Sequence, residues 1–116
     1  MSTAADTSAE RVPLAWSLSG NDDYTLAEFV ITGENGVLDP ADLARIDVPK
    51  EAPMHKGIIL SGRGPVWLYG YLVHRAHPYA WVGIFDPRLQ AAVVIERHVQ
   101  AAPHLGKTMI LNEGNS

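Results

Sequence analysis

With 116 residues, 47% of them hydrophobic and 19% charged, the chain has the size and balance of one globular domain. A net charge of -4 argues against a general nucleic-acid coat, so duplex DNA is not an expected partner. No Cys rules out disulfides and thiolate metal sites, no apolar run nears the roughly 20 residues of a membrane span, and no basic-then-apolar leader is visible, so the expected location is the cytoplasm.

Met1 to Arg11 is small, polar and aperiodic, and reads as a disordered lead-in. Leu14, Trp16 and Leu18 alternate with Ala15 and Ser17, which predicts a half-buried strand. Gly20-Asn21-Asp22-Asp23 is a turn cluster. Tyr24 to Thr32 is rich in β-branched and aromatic residues and is expected as the hairpin partner. After Gly33-Glu34-Asn35-Gly36, Asp39 reads as an N-cap with Pro40 at the first helical position, opening a short helix that Val48-Pro49 stops. A charged, proline-containing connection follows over 47–56.

The stretch Lys56 to Leu89 organises the chain. Gly57-Ile58-Ile59-Leu60 is a buried strand, Ser61-Gly62-Arg63-Gly64 a glycine loop, and Pro65 to Ala76 a helix. Val66, Leu68, Tyr69, Leu72, Val73 and Ala76 give that helix a wide apolar face. Gly70 within it reads either as a close contact with another backbone, such as a second subunit, or as tolerated local weakness. Tyr79 to Phe85 is a second strand, parallel to the first, ending at Asp86-Pro87-Arg88-Leu89. Ala91 to Ile95 follows too closely for a helical crossover and must turn back antiparallel, carrying His98 to the opposite end. Thr108 to Leu111 is an edge strand, and 113–116 a tail.

Residues 1–52 carry ten acids and three bases, residues 53–116 three acids and six bases, so an anionic ligand should meet the second half. The same imbalance follows if the first half simply faces solvent. Ser61, Gly62, Arg63 and Gly64 lie between a strand and a helix N-terminus, where free amides and a bidentate Arg suit phosphate. A tight structural turn has the same composition. Asp86 and Arg88 close the next parallel strand beside that loop, as a base or metal ligand and a phosphate partner, or as an Asp-Pro turn with a local ion pair. His74 and His77 are spaced for one helix face, and His98 arrives at the same end; neutral imidazoles there suit Mn or Zn, and a lone His is otherwise structural. His55 and His104 fall in loops. The glycine loop, Asp86 and Arg88 thus sit at one end of the sheet and His77 and His98 at the other, so a shared site requires stacked subunits.

GIILSGRGPVWL, LVHRAH, and FDPRL followed by an alanine-valine strand together resemble the small CRISPR-associated ring nucleases of the Csx-three type, an outlying group of CRISPR-associated Rossmann-fold proteins. The likeness covers about Lys56 to His98. It implies cleavage of cyclic tetra-adenylate, the messenger of type III CRISPR defence, with Mn2+, and also trimming of short RNA from its 3′ end. It further implies homodimers that stack into tetramers or filaments and hold the ring between opposite faces. By this resemblance His77, Asp86 and Arg88 match the family's functional His, Asp and Arg. His98 matches a later His across a one-residue offset in the preceding strand, and Ser61 to Gly64 match the ligand-binding loop. Gln90 stands where the family would have a small residue such as Gly.

The expected fold is α/β: residues 12–112 as a single domain, a mixed sheet with a Rossmann-like βαβ core in the order β-β-α-β-α-β-β-β. The expected function is metal-dependent opening of the cyclic messenger, with His77, Asp86, Arg88 and His98 catalytic and Asp86, His77 and His98 on the metal. The alternatives are a non-catalytic cyclic-oligoadenylate sensor and a plain interaction protein.

Overall fold

A computed structural model describes residues 12–111, so the expected lead-in and tail lie outside the described residues. The first alternating segment folds as β1 (Leu14–Gly20) and the aromatic one as β2 (Tyr24–Ile31), an antiparallel pair in register from Leu14–Ile31 to Gly20–Thr25. Asn21 closes the turn between them, its Oδ1 accepting the amides of Asp23 and Tyr24.

The helix expected after Asp39 is a 3-10 helix, Pro40–Arg45. Asp39 does cap it, accepting from the Ala41 amide, but Ile46 is already extended. A six-residue piece gives few i→i+4 bonds, and the tighter i→i+3 pattern wins. The connection that follows is tied back by Tyr71, whose hydroxyl donates to the Ile46 carbonyl, and by Arg75, whose guanidinium grips Asp47.

β3 (Gly57–Gly62) runs parallel to β2, α1 (Val66–Arg75) crosses over, and β4 (Trp81–Asp86) runs parallel to β3. β3 therefore takes in Ser61 and Gly62, which the sequence assigns to the loop. β5 (Ala91–Arg97) returns antiparallel, and β6 (Thr108–Met109) is its short edge partner. The six strands lie in chain order, giving one mixed sheet in an α/β chain with few helices.

One face of the sheet is covered by α1 and the 3-10 segment, over Phe29, Ile58, Leu60 and Val82. Leu68 and Leu72 are the buried residues of α1, and Ala76, its C-cap, is buried beyond them. Val66, expected on that stripe, is 86% exposed at the first turn, and a Cβ at the exposed Gly70 would meet nothing within 4 Å among the described residues. The other face carries Leu26, Ile59, Trp81 and Val94, covered by Tyr24, Phe85, Met109 and Leu111. The Trp81 ring lies so close over Gly57 that any Cβ there would overlap it, which requires glycine.

Candidate functional site

Two groups of polar side chains emerge at opposite ends of β4. At its carboxyl end, Ser61, Gly62, Arg63, Tyr69, Asp86 and Arg88 line one open cleft of about 430 Å³. The Tyr69 hydroxyl donates to the Gly62 carbonyl at 2.6 Å and pins the end of β3; burial raises the Tyr69 phenol above its ordinary range, and that hydrogen bond partly offsets the rise. Pro65 caps α1 without a side-chain hydrogen bond, so the first amides of the helix face the loop with no side chain on them. Asp86 Oδ1 accepts the Arg88 amide at 2.9 Å, making an Asp-Pro turn that still presents both side chains to the cleft. Gln90 finishes this turn at φ 54°, the left-handed region that favours glycine.

At the amino end of β4 lie His77, Glu96 and His98. Their ligand atoms all fall within 4.8 Å of one another. The two imidazoles stand with ring centroids 4.5 Å apart. His98 Nδ1 contacts the Tyr79 carbonyl at 2.8 Å, and since a carbonyl only accepts, Nδ1 carries the proton. Nε2 then turns to Glu96 Oε1 at 3.1 Å, with His77 Nδ1 at 4.0 Å from the same oxygen. That oxygen is buried and has no hydrogen-bond donor among the described residues.

Two imidazole nitrogens around an orphaned carboxylate oxygen suit a divalent cation. Coordination bonds of about 2.1 Å would bring the donors to about 3.4 Å apart, a closure that the 72% exposed His77 side chain is free to make. The residues present therefore fit a metal, with the Tyr79 carbonyl as the outer partner that orients His98.

A backbone irregularity builds this cluster. Val82 pairs with Glu96 but Gly83 pairs with Val94, leaving Ile95 as an extra residue in β5. The bulge lies in the strand where the resemblance implies an offset. It returns Glu96 to the helix side of the sheet, opposite Val82, where His77 stands at the end of α1.

Asp86 lies the length of β4 away from His77 and His98, about 20 Å for six residues, at the opposite end of the sheet where the sequence reading placed it. Within one chain it cannot share their ion; the carboxylate that does stand with them is Glu96. His74, expected on their face, is exposed and outside the cluster, because α1 ends at Arg75 and the chain turns before His77. His55 lies elsewhere, in a cavity on the other sheet face with Asp22, Asp23, Trp81 and Lys107. Sequence reasoning passes over Glu96. Its signal is the Glu96-Arg97-His98 spacing, since alternate residues of a strand share a face.

A family model described as CRISPR-associated protein (Cas_csx3) matches residues 31–109, which include both groups. An uncharacterized protein of Aquifex aeolicus (strain VF5) is 47% identical over 87 residues, covering 72% of this chain and 76% of that protein.

Proposed function

The chain belongs to the CRISPR-associated Cas_csx3 family, and from that premise we propose that it is a metal-dependent phosphodiesterase that opens cyclic tetra-adenylate at a site shared between stacked copies. One observation carries this reading: groups suited to phosphate and groups suited to a cation lie at opposite ends of the same sheet. Head-to-tail stacking brings the cleft of one copy against the cluster of the next, with an anionic ring between them.

In that arrangement Arg63 and the first amides of α1 hold phosphate. Arg88 meets the negative charge that grows on the phosphoryl oxygens as the bond breaks. Asp86 faces the same cleft, placed to accept the proton of a water or ribose hydroxyl. The oxygen of that group bonds to phosphorus as the ring's P–O bond breaks, and the leaving oxygen takes a proton from solvent. His77, Glu96 and His98 hold the divalent cation, Mn2+ by the family resemblance. When bound, the cation supplies Lewis-acid stabilisation of phosphoryl charge. Destroying the messenger would end the antiviral signal, and short RNA 3′ ends offer the same phosphodiester chemistry.

The test is incubation of purified protein with cyclic tetra-adenylate, with Mn2+ or with chelator, and chromatographic separation of the products. Loss of the ring only with Mn2+ is the expected result. An intact ring in both conditions overturns the enzymatic reading. A rise in melting temperature with the intact ring would then indicate a sensor.

A further inference from the structure

We propose that Tyr79 is a positioning residue for His98: its peptide carbonyl, clamped from the far side of the chain, holds the imidazole with the Nε2 lone pair turned into the His77–Glu96–His98 cluster. The inference rests on reading that cluster as a cation site and explains what sets its geometry before any ion arrives.

The peptide between Tyr79 and Ala80 is a single plane whose N–H and C=O point in opposite directions. The C=O accepts His98 Nδ1–H at 2.8 Å. The N–H, on Ala80, donates to the carbonyls of Met54 at 3.0 Å and Lys56 at 3.1 Å. The same connection holds the Tyr79 side chain: its hydroxyl lies 3.1 Å from the carbonyls of both Pro49 and Ala52, and the residue is 1% exposed. The Tyr79 amide donates to the Ala76 carbonyl at 3.0 Å. The backbone of His98 is fixed as well, its amide donating to the Ala80 carbonyl at 2.9 Å.

Apart from His98, the partners that orient this peptide lie on the 49–56 connection, with Ala76, the neighbour of His77, holding the Tyr79 amide. The outcome is a ring whose Nδ1, the nitrogen that free neutral histidine protonates less in water, has its N–H committed to the Tyr79 carbonyl. That turns Nε2, the atom nearest Glu96, into the cluster, and closure onto an ion falls to the exposed His77 side chain.

Tyr79→Phe keeps the buried ring and removes only the hydroxyl clamp. Tyr71→Phe is the control, since it loses a part-buried hydroxyl bond to the Ile46 carbonyl but touches neither the peptide nor the cluster. Imidazole nitrogen NMR of the metal-free protein at pH 8 should show the Nδ1–H form of His98 in the parent and in Tyr71→Phe, and a mixture in Tyr79→Phe. Mn2+ titration followed by electron paramagnetic resonance should show an affinity about 10-fold weaker for Tyr79→Phe alone. Unchanged tautomer and affinity in Tyr79→Phe, or equal losses in both variants, overturn the proposal. His98→Ala separates the two readings: parent-like Mn2+ binding in that variant overturns the cation site, while the tautomer measurement still decides the role of Tyr79.

Discussion

Glu96 Oε1 and His98 Nε2 meet at 3.1 Å while Nδ1 donates to the Tyr79 carbonyl, so in the Nδ1–H tautomer Nε2 offers Glu96 only a lone pair. Two acceptors at that distance hold together through a proton or a cation. Glu96→Gln replaces one acceptor by an amide that can donate to Nε2. At pH 8, above the ordinary imidazole range, the metal-free variant should be more stable than the parent by about 1 kcal/mol. Its Mn2+ affinity should fall by a factor on the order of 100, because a ligating oxygen and a negative charge are lost together. Urea unfolding in chelator and a Mn2+ titration read the two effects separately. Parent-like Mn2+ affinity in this variant would remove Glu96 from the cation site.

Asp86 has two duties that one substitution separates. Its Oδ1 closes the turn through the Arg88 amide, and its charge faces the cleft. Asp86→Asn retains the acceptor, so stability should stay within about 0.5 kcal/mol of the parent, while turnover falls about 100-fold or more. Asp86→Ala should lose the same activity and about 1 kcal/mol of stability as well. Full turnover in Asp86→Asn would reduce the residue to its turn.

A site shared between copies predicts complementation. Arg88→Ala spoils the cleft end and His77→Ala the cluster end, so each protein alone should be inactive. Mixed in equal amounts, about a quarter of the head-to-tail junctions join two intact ends, and activity should return to about that fraction. A mixture as inactive as its components would show that both groups must belong to one chain.

Asp47 and Arg75 give a prediction about acid. The guanidinium donates to both carboxylate oxygens, at 3.0 and 2.8 Å, and this hydrogen bonding is the main cause that holds the Asp47 carboxyl below its usual value of 3.8. A depressed folded value means stability that is present above 3.8 and is lost as pH falls through the lower folded value. The pair is exposed, so the contribution is small. The urea midpoint of Arg75→Gln should lie slightly below the parent at pH 7, and the gap should shrink as pH falls below 3.8. A gap that does not shrink would mean that Arg75 acts through packing of its stem instead.

The strands were legible because each is a short apolar or alternating run between turn residues, and the βαβ order follows from the Gly-rich and Asp-Pro breaks. The first helix was not, because Asp39 and Pro40 signal a helix start without saying whether the turns that follow close at three residues or four. The cleft could be read from Arg63, Asp86 and Arg88, which sit at strand ends in the sequence itself. Glu96 could not be placed that way. Its face depends on the extra residue Ile95, and Ala91 to Ile95 as a regular strand contains no mark of a bulge. Gln90 hides its left-handed turn for a similar reason, since a long polar side chain stands where glycine would have announced it.

The chain-order sheet has a consequence for how the protein acquires its site. Each strand pairs only with the strands before and after it in sequence, so the sheet can be laid down progressively as the chain lengthens. The cleft needs only β3, α1 and the end of β4. The cluster needs β5 docked in its bulged register, since Glu96 lies near its far end and His98 directly follows it. Pulse-labelled amide exchange during refolding should therefore protect β3 and β4 ahead of β5, with the capacity to hold a cation among the last properties to appear.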